Sequence, residues 1–323
     1  MKSIKATGKI QGINAWIIIC VLVLFLIIPV FFPVGWLSLV TEMMILALAA
    51  CGLNIMLGYA GMVSFGPAGL YAVGAYTTAL ILVNTKIPFI LAFIAGPVFT
   101  VIVSAVVGWF CVRLTHVYFA LLTLAFSQII HTILFRWYDF TRGDNGIVDI
   151  PVPVILKSIN NYYYFTFLIT VLCIWFIWII IKSPFGKTLQ AIRENPQRAE
   201  SVGVNVRLYQ LAAFIISSFF LGVAGSLFCA FNKNVFPNYA HWAKSTEMLV
   251  VCLMGGINNF FGPIVGSIIY LFLDKTITSY TQYWPLVLGI IIIILLLFLR
   301  GGIAGFISEK ITLLSKRRVT EQL

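Results

Sequence analysis

Charged side chains are scarce in this chain of 323 residues: Asp, Glu, Lys and Arg make up only 10% of it, against about 25% in ordinary soluble domains. Hydrophobic residues make up 61%, and the mean hydropathy is +1.03. A chain with so little charge cannot cover a soluble domain with a polar surface. The composition therefore excludes a soluble protein and predicts a membrane protein.

Acidic residues are the scarcer charged class, with 10 against 21 basic ones, so the formal net charge is +11. A basic balance can indicate nucleic-acid binding. Here, however, the basic residues lie in short segments between long apolar runs rather than on one polar face. We therefore expect contact with a lipid membrane and no nucleic-acid partner.

Residue patterns that support catalysis or metal binding are also missing. The three histidines have no ligand spacing with one another or with the cysteines. The six cysteines fall inside apolar runs, where a thiol behaves as a small apolar group. No Ser/His/Asp, Cys/His or paired-carboxylate arrangement stands out. We therefore predict no catalytic residue, no metal and no cofactor, which argues against a membrane enzyme.

Gly186-Lys187-Thr188 resembles the end of a phosphate-binding loop. The full pattern needs a glycine five positions earlier and a strand leading into it. That position is Ile181, and an aromatic and isoleucine-rich run precedes it. Nucleotide binding by this chain is therefore not expected.

Long apolar runs dominate what is present. Several approach or exceed the roughly 20 residues that cross a bilayer as a helix, at 15–32, 37–57, 62–83, 88–112, 117–135, 162–181, 211–230, 247–273 and 284–299. Continuous apolar runs favour helices over a β-barrel, whose strands alternate. We predict an all-α polytopic membrane protein with about 8–10 transmembrane helices, some broken at Gly-rich segments.

The distribution of basic residues predicts the orientation, because cytoplasmic loops carry an excess of Lys and Arg. It makes 1–14 a cytoplasmic N-terminus, 15–299 the transmembrane domain and 300–323 a basic cytoplasmic tail. The loop 182–210, with five basic residues against two glutamates, is cytoplasmic, whereas 136–161 and 232–246 are external. A single span over 247–273 would place the basic tail outside, against its charge. The conflict disappears if 247–273 is two short segments, either a hairpin or two half-spans.

The point of division is Gly255-Gly256-Ile257-Asn258-Asn259, and the 58–74 region is similarly rich in glycine. Irregular backbone at membrane depth is tolerated where it is buried in protein or lines a cavity, as in transporters. Close helix packing is the alternative, because Gly262, Pro263 and Gly266 form a small-residue face. Both roles remain open.

Polar residues within the spans give candidates for a translocation path. Thr123, Ser127 and His131 recur every four residues, with Gln128 beside them, so they stripe one helix face. Hydrogen bonding between helices is the alternative. Other charged residues are interpreted differently: Glu42 and Glu247 as span-end carboxylates, and Asp274-Lys275 as an interfacial pair.

The 182–210 loop contains a predicted short helix. Asn195 is a suitable N-cap with Pro196 at the first helical position, and Gly203 suits a left-handed stop. Ala199 and Val202, three residues apart, are expected to share an apolar docking face. A solvated basic loop is the alternative.

At these residues a family resemblance becomes specific. The stretch "SPFGKTLQAIRENPQRAESVGVNVRLYQLAAFIISSFFLGVAGSLF" resembles the cytoplasmic loop and following span of the branched-chain amino acid ABC transporter permeases. "THVYFALLTLAFSQII", "TRGDNGI" and "MGGINNFFGPIVGS" are similar to further parts of the LivM-type subunit. The resemblance covers the chain from about residue 46 to 305.

The resemblance implies one half of an importer of leucine, isoleucine or valine in the prokaryotic cytoplasmic (inner) membrane, with both termini cytoplasmic. Its implied partners are a second homologous permease, two ATP-binding cassette ATPases that hydrolyse ATP, and an external solute-binding protein. It implies coupling to the ATPase by a set of loop residues: Arg193, Glu194, Ala199, Glu200 and Gly203.

This chain departs from the family pattern at three places. Gln128 and His131 stand where a glutamate and an arginine are usual, and Asn258 replaces a third glycine at the break. With Thr123 and Ser127 they form the candidate path. The alternatives are a permease for urea, short amides or another small polar solute, or a stand-alone carrier or channel, which would usually place paired ionisable groups in mid-membrane.

Overall fold

The computed structural model describes residues 33–280, and single positions at 25, 29, 283, 286, 287, 289, 290, 293, 302, 303 and 305. The predicted first span 15–32, the last span 284–299, the N-terminal segment 1–14 and the tail 300–323 therefore lie almost wholly outside the described residues.

Within 33–280 the chain is a succession of helices, as predicted. Those of six or more residues are α1 Val34–Asn54, continued by a π-helical turn Ile55–Tyr59, α2 Pro67–Asn84, α3 Phe89–Cys111, α4 His116–Arg136, α5 Ile159–Lys182, α6 Pro184–Glu194, α7 Pro196–Ser201, α8 Val206–Asn232, α9 Trp242–Gly255 and α10 Gly262–Tyr280. Six of them, α1 to α5 and α8, are long and apolar enough to cross a membrane. The all-α polytopic prediction is confirmed.

The predicted run 247–273 is divided into two helices. Helix α9 ends at Gly255, the next residue has a φ of +106°, and α10 begins at Gly262. The 14 residues of α9 extend about 21 Å, less than the roughly 30 Å of a hydrocarbon core. A Cβ at Gly255 would overlap the carbonyl of Gly262, so glycine lets the two helices touch.

Helix α8 forms the centre of the bundle, packed against α1, α2 and α3. At the crossing with α2, a Cβ on Gly74 would lie 2.6 Å from the Cα of Gly222. Small residues let the backbones approach, as in other membrane helix pairs. Beside them the Thr78 hydroxyl donates to the Ser226 hydroxyl over 2.8 Å, so the close contact also carries a hydrogen bond.

The two predicted external loops meet at one end of the bundle. The Ile147 N–H donates to the Val235 carbonyl at 2.9 Å, and the reverse bond is 2.8 Å. The loop between α5 and α8 lies instead beside the end of α1, where Arg193 contacts Gly58. Two loops on the same side of a membrane must lie at the same end of the helix bundle, and these two do. Which end of the bundle faces the cytoplasm stays a prediction.

We expect Gly74→Ala to destabilise the protein, because an added methyl group at this crossing overpacks it at a cost of about 1–3 kcal/mol. Gly35→Ala is the matched control, since nothing lies within 4 Å of its Cβ position. Thermal unfolding of the purified variants in detergent measures the difference. Equal melting temperatures would show that the crossing is not closely packed.

Candidate functional site

The chain between α1 and α2 is the first break in helical structure, and side chains from other helices support it. A helix start leaves N–H groups without intrahelical partners, and in a membrane each needs one. Three N–H groups here donate to hydroxyls of α4 and α9: Phe65 to Thr123 (3.2 Å), Ala68 to Ser245 (3.1 Å) and Gly69 to Ser127 (3.0 Å).

The structure shows helix-to-helix hydrogen bonding by Thr123 and Ser127. Both are 1% exposed, and their hydroxyls also donate, to the Ala120 and Ala240 carbonyls respectively. Their hydrogen-bonding groups are thus engaged within the protein and support helix packing. Their place on a translocation path stays a prediction.

The other two candidate path residues of α4, Gln128 and His131, have different surroundings. The amide nitrogen of Gln128 is buried and has no hydrogen-bond partner among the described residues. His131 is half-buried, and its ring lies 5.4 Å from that of His241. The fold thus brings together two histidines that lie far apart in the sequence. No group of three potential metal ligands occurs in the described part of the chain.

Arg193, at the end of α6, joins the loop to both helix breaks. Its Nη1 donates to the carbonyl of Gly58 in the first break, and its Nη2 donates to Asn258 Oδ1 in the second at 2.7 Å. One guanidinium can do this because it presents several donors in a fixed plane. Arg193 and Asn258, predicted for separate roles, therefore form one contact.

Gly58 itself lies in a crowded place. A Cβ there would overlap the Asn54 side chain and the Ile257 carbonyl, so the two breaks touch directly. The buried Asn54 Oδ1 has no hydrogen-bond partner among the described residues. This acceptor can therefore take a further hydrogen bond at the junction of the two breaks.

The Gly186-Lys187-Thr188 motif lies inside a helix. Ser183 caps α6, and the Lys187 N–H donates to the Ser183 carbonyl at 3.2 Å, as in an ordinary first turn. A Cβ at Gly186 would collide with the carbonyls at the end of α5. The glycine therefore serves the sharp turn between the two helices, and its motif does not form a phosphate-binding loop.

The short helix α7 begins and ends as predicted. The Asn195 side chain accepts from the Arg198 N–H at 2.9 Å, and Gly203 has a φ of +91°. The predicted shared face of Ala199 and Val202 is wrong, however. Ala199 is 7% exposed and packs on Ile192 and Val206. Val202 is 81% exposed, because it follows the last helical residue and the chain has already turned.

A groove of about 420 Å³ lies between α6 and α7. Lys187, Glu194 and Arg198 supply charge, and Ala191 and Val202 supply apolar surface. Glu200 is exposed on α7. Of the loop residues predicted to couple, Glu194 therefore lies in the groove, Glu200 on the surface, Ala199 in the local core and Arg193 against the breaks.

Sequence reasoning missed a second site. Glu42, Lys244, Glu247, Asp274 and Lys275, from α1, α9 and α10, line one cavity. The Lys244 ammonium is 2.8 Å from both Glu247 oxygens, and Lys275 is 3.3 Å from Glu42. The sequence did contain a signal for this site, because charged residues within or beside apolar runs usually mark functional positions. We interpreted four of these five residues from the sequence as lying at span ends or at the membrane interface, and so did not predict the site.

Comparison with known proteins gives a consistent result. The sequence profile of the family described as "Branched-chain amino acid transport system / permease component" matches residues 35–298. The high-affinity branched-chain amino acid transport system permease protein LivM of Escherichia coli K12 is 26% identical over 313 residues, covering 88% of this chain and 74% of the relative.

Two further relatives are a second permease of a branched-chain amino acid system and a permease of a sugar system. The LivH permease protein of the Escherichia coli K12 high-affinity branched-chain system is 23% identical over 283 residues, 80% of this chain and 91% of the relative. The galactose/methyl galactoside import permease MglC of Salmonella typhimurium is 28% identical over 188 residues, 53% of this chain and 55% of the relative.

We expect Arg193→Ala to loosen both breaks, because it removes donors to Gly58 and Asn258. Amide hydrogen exchange around 58–66 and 256–261 should accelerate by about tenfold, the equivalent of one hydrogen bond of ordinary net strength. Arg207→Ala, an exposed arginine at the start of α8, is the control. Exchange that rises at one break only would show that the bridge is not shared.

Proposed function

Because the chain belongs to the family of branched-chain amino acid transport permease components, we propose that it is the transmembrane permease subunit of an ATP-driven importer of leucine, isoleucine and valine. The observation that carries the proposal is the family match across 35–298, which spans the described helical domain. Members of this family are transport subunits rather than enzymes, so separate subunits hydrolyse ATP.

The proposed assembly contains a second homologous permease, two ATP-binding cassette ATPases and an external solute-binding protein. Similarity to both LivM and LivH, two permease proteins of one transport system, supports the paired permease. Helices α4 and α5 also bury little of their surface within this chain. In a multi-pass protein of the inner membrane, those apolar faces contact lipid or a partner subunit.

Coupling to the ATPase is assigned to the loop 182–210, which the charge distribution places in the cytoplasm. The exposed Val202, the α7 surface around Glu200 and the groove beside Glu194 form the docking surface. Arg193 then links a displacement of that loop to both helix breaks. Gly203 holds the left-handed turn that directs the chain into α8.

A sugar is the second candidate for the transported solute, because the import permease MglC shares 28% identity over 53% of this chain. Matches to the LivM and LivH proteins cover more of the chain, 88% and 80%. The amino-acid proposal is therefore preferred.

Val202→Asp should disrupt the ATPase contact, because docking would bury an unpaired carboxylate. We expect about a tenfold loss of ATPase association and of solute-stimulated ATP hydrolysis, with normal membrane insertion. Val154→Asp is the matched control, since Val154 is equally exposed, at 81%, in the loop predicted to be external. Loss of ATPase association with Val154→Asp alone would reverse the proposed orientation.

The complex reconstituted in proteoliposomes with its binding protein should import radiolabelled leucine when ATP is supplied. Isoleucine and valine should compete, whereas galactose and urea should not. Uptake of galactose that leucine does not inhibit would overturn the proposed solute while leaving the permease family unchanged.

A further inference from the structure

The cavity of about 250 Å³ that lies between α1, α2, α8, α9 and α10 combines features that specify a ligand. Its size is just below the range of roughly 300–1,000 Å³ typical of sites for drug-sized molecules. A small solute of amino-acid size therefore fits it better than a peptide or a nucleotide.

The charges of the cavity are unbalanced. Lys244 pairs with Glu247 and Lys275 with Glu42. Asp274, the fifth charged residue, is partly buried and has no ion pair or hydrogen bond with a described residue. Three carboxylates against two ammonium groups leave one negative charge. Partly buried charges need partners, so Asp274 is the carboxylate that can accept an incoming ammonium group.

The two ion pairs also differ in how tightly they are held. The side chains of Lys244 and Glu247 are 23% and 18% exposed, and the ammonium reaches both carboxylate oxygens at 2.8 Å. The Lys275 side chain is 55% exposed and its pair is longer, at 3.3 Å. Lys275 is therefore the cation that can turn to an incoming carboxylate.

Tyr71 also lines the cavity. Its side chain is 2% exposed, and no hydrogen bond joins its hydroxyl to another described residue. The hydroxyl can therefore bond to a polar ligand in the cavity, an observation that is independent of the charges.

The remaining walls are mostly apolar: Ile45, Leu46, Met248 and Leu271 line the cavity together with the rings of Phe228 and Tyr270. A ligand with an ammonium, a carboxylate and a small aliphatic body can contact Asp274, Lys275 and these walls together. An inorganic cation would contact the carboxylates alone, and an uncharged sugar would form no ion pair with Asp274 or Lys275.

We propose that this cavity binds the transported solute as a zwitterion, with its ammonium at Asp274 and its carboxylate at Lys275. Tyr71 adds a hydrogen bond, and the aliphatic side chain lies against Ile45, Leu46 and Met248. The identity of the solute rests on the proposed function; the zwitterion preference follows from the cavity itself. The cavity is then a solute-binding site within the permease.

The test measures equilibrium binding of radiolabelled leucine to the full transporter complex in nanodiscs without the solute-binding protein. Asp274→Asn should weaken binding by about tenfold or more. It should leave the melting temperature unchanged or higher, because it removes an unpaired, partly buried charge. The double variant Glu42→Gln/Lys275→Gln, which removes one ion pair completely, should weaken binding similarly. Asp139→Asn and Lys157→Gln, both exposed, are the controls.

Two analogues separate the ends of the ligand. Binding of leucinamide, which lacks the carboxylate, should depend on Asp274 and not on Lys275. Binding of 4-methylpentanoate, which lacks the ammonium, should depend on Lys275 and not on Asp274. A structural role for either residue would affect both analogues equally, and that result would overturn the assignment.

The outcome also separates this proposal from the proposed function. If the wild-type complex imports leucine but both cavity variants bind it with wild-type affinity, the cavity assignment is wrong and the importer stands. If the wild-type complex neither imports nor binds leucine, the proposed solute is wrong, and with it the ligand assigned to this cavity.

Discussion

Every backbone N–H and C=O group inside a hydrocarbon layer needs a hydrogen-bond partner, and that constraint shapes this protein. A continuous helix meets it alone, but within residues 33–280 irregular backbone stands between α1 and α2 and between α9 and α10. The groups exposed by the first interruption are supported by hydroxyls of Thr123, Ser127 and Ser245, and by the guanidinium of Arg193. These four side chains therefore serve the irregular backbone directly.

This arrangement connects the loop 182–210, which we propose to be cytoplasmic, to the membrane domain. Arg193 belongs to the loop by sequence and to both breaks by contact. A force applied to α6 and α7 acts on Gly58 and Asn258 through one side chain, over a path with no flexible linker. For a permease driven by a separate ATPase, such a short connection lets a loop displacement change the backbone within the bundle.

Helices α1 and α9 connect the two breaks to the charged cavity. Helix α1 carries Glu42 near one end and leads into the first break at the other. Helix α9 carries Lys244 and Glu247 in its first turns and ends at Gly255, beside the second break. Over the 14 residues of α9, the separation is about 21 Å. A conformational change at the cavity and a displacement of the loop would therefore both act on α1 and α9.

The sequence alone determined the class of protein, the helical runs, the division near Gly256 and the cap and stop of α7, because these depend on composition, local turns and hydrophobic patterning. Tertiary structure decided which partners those residues meet. It turned Ala199 inward and Val202 outward, engaged Thr123 and Ser127 in helix support, and joined Arg193 to Asn258. It also gathered Glu42, Glu247 and Asp274 from separate helices into one cavity. Hydropathy and charge counts record how polar each segment is, but contacts between residues far apart in the chain depend on how the helices pack.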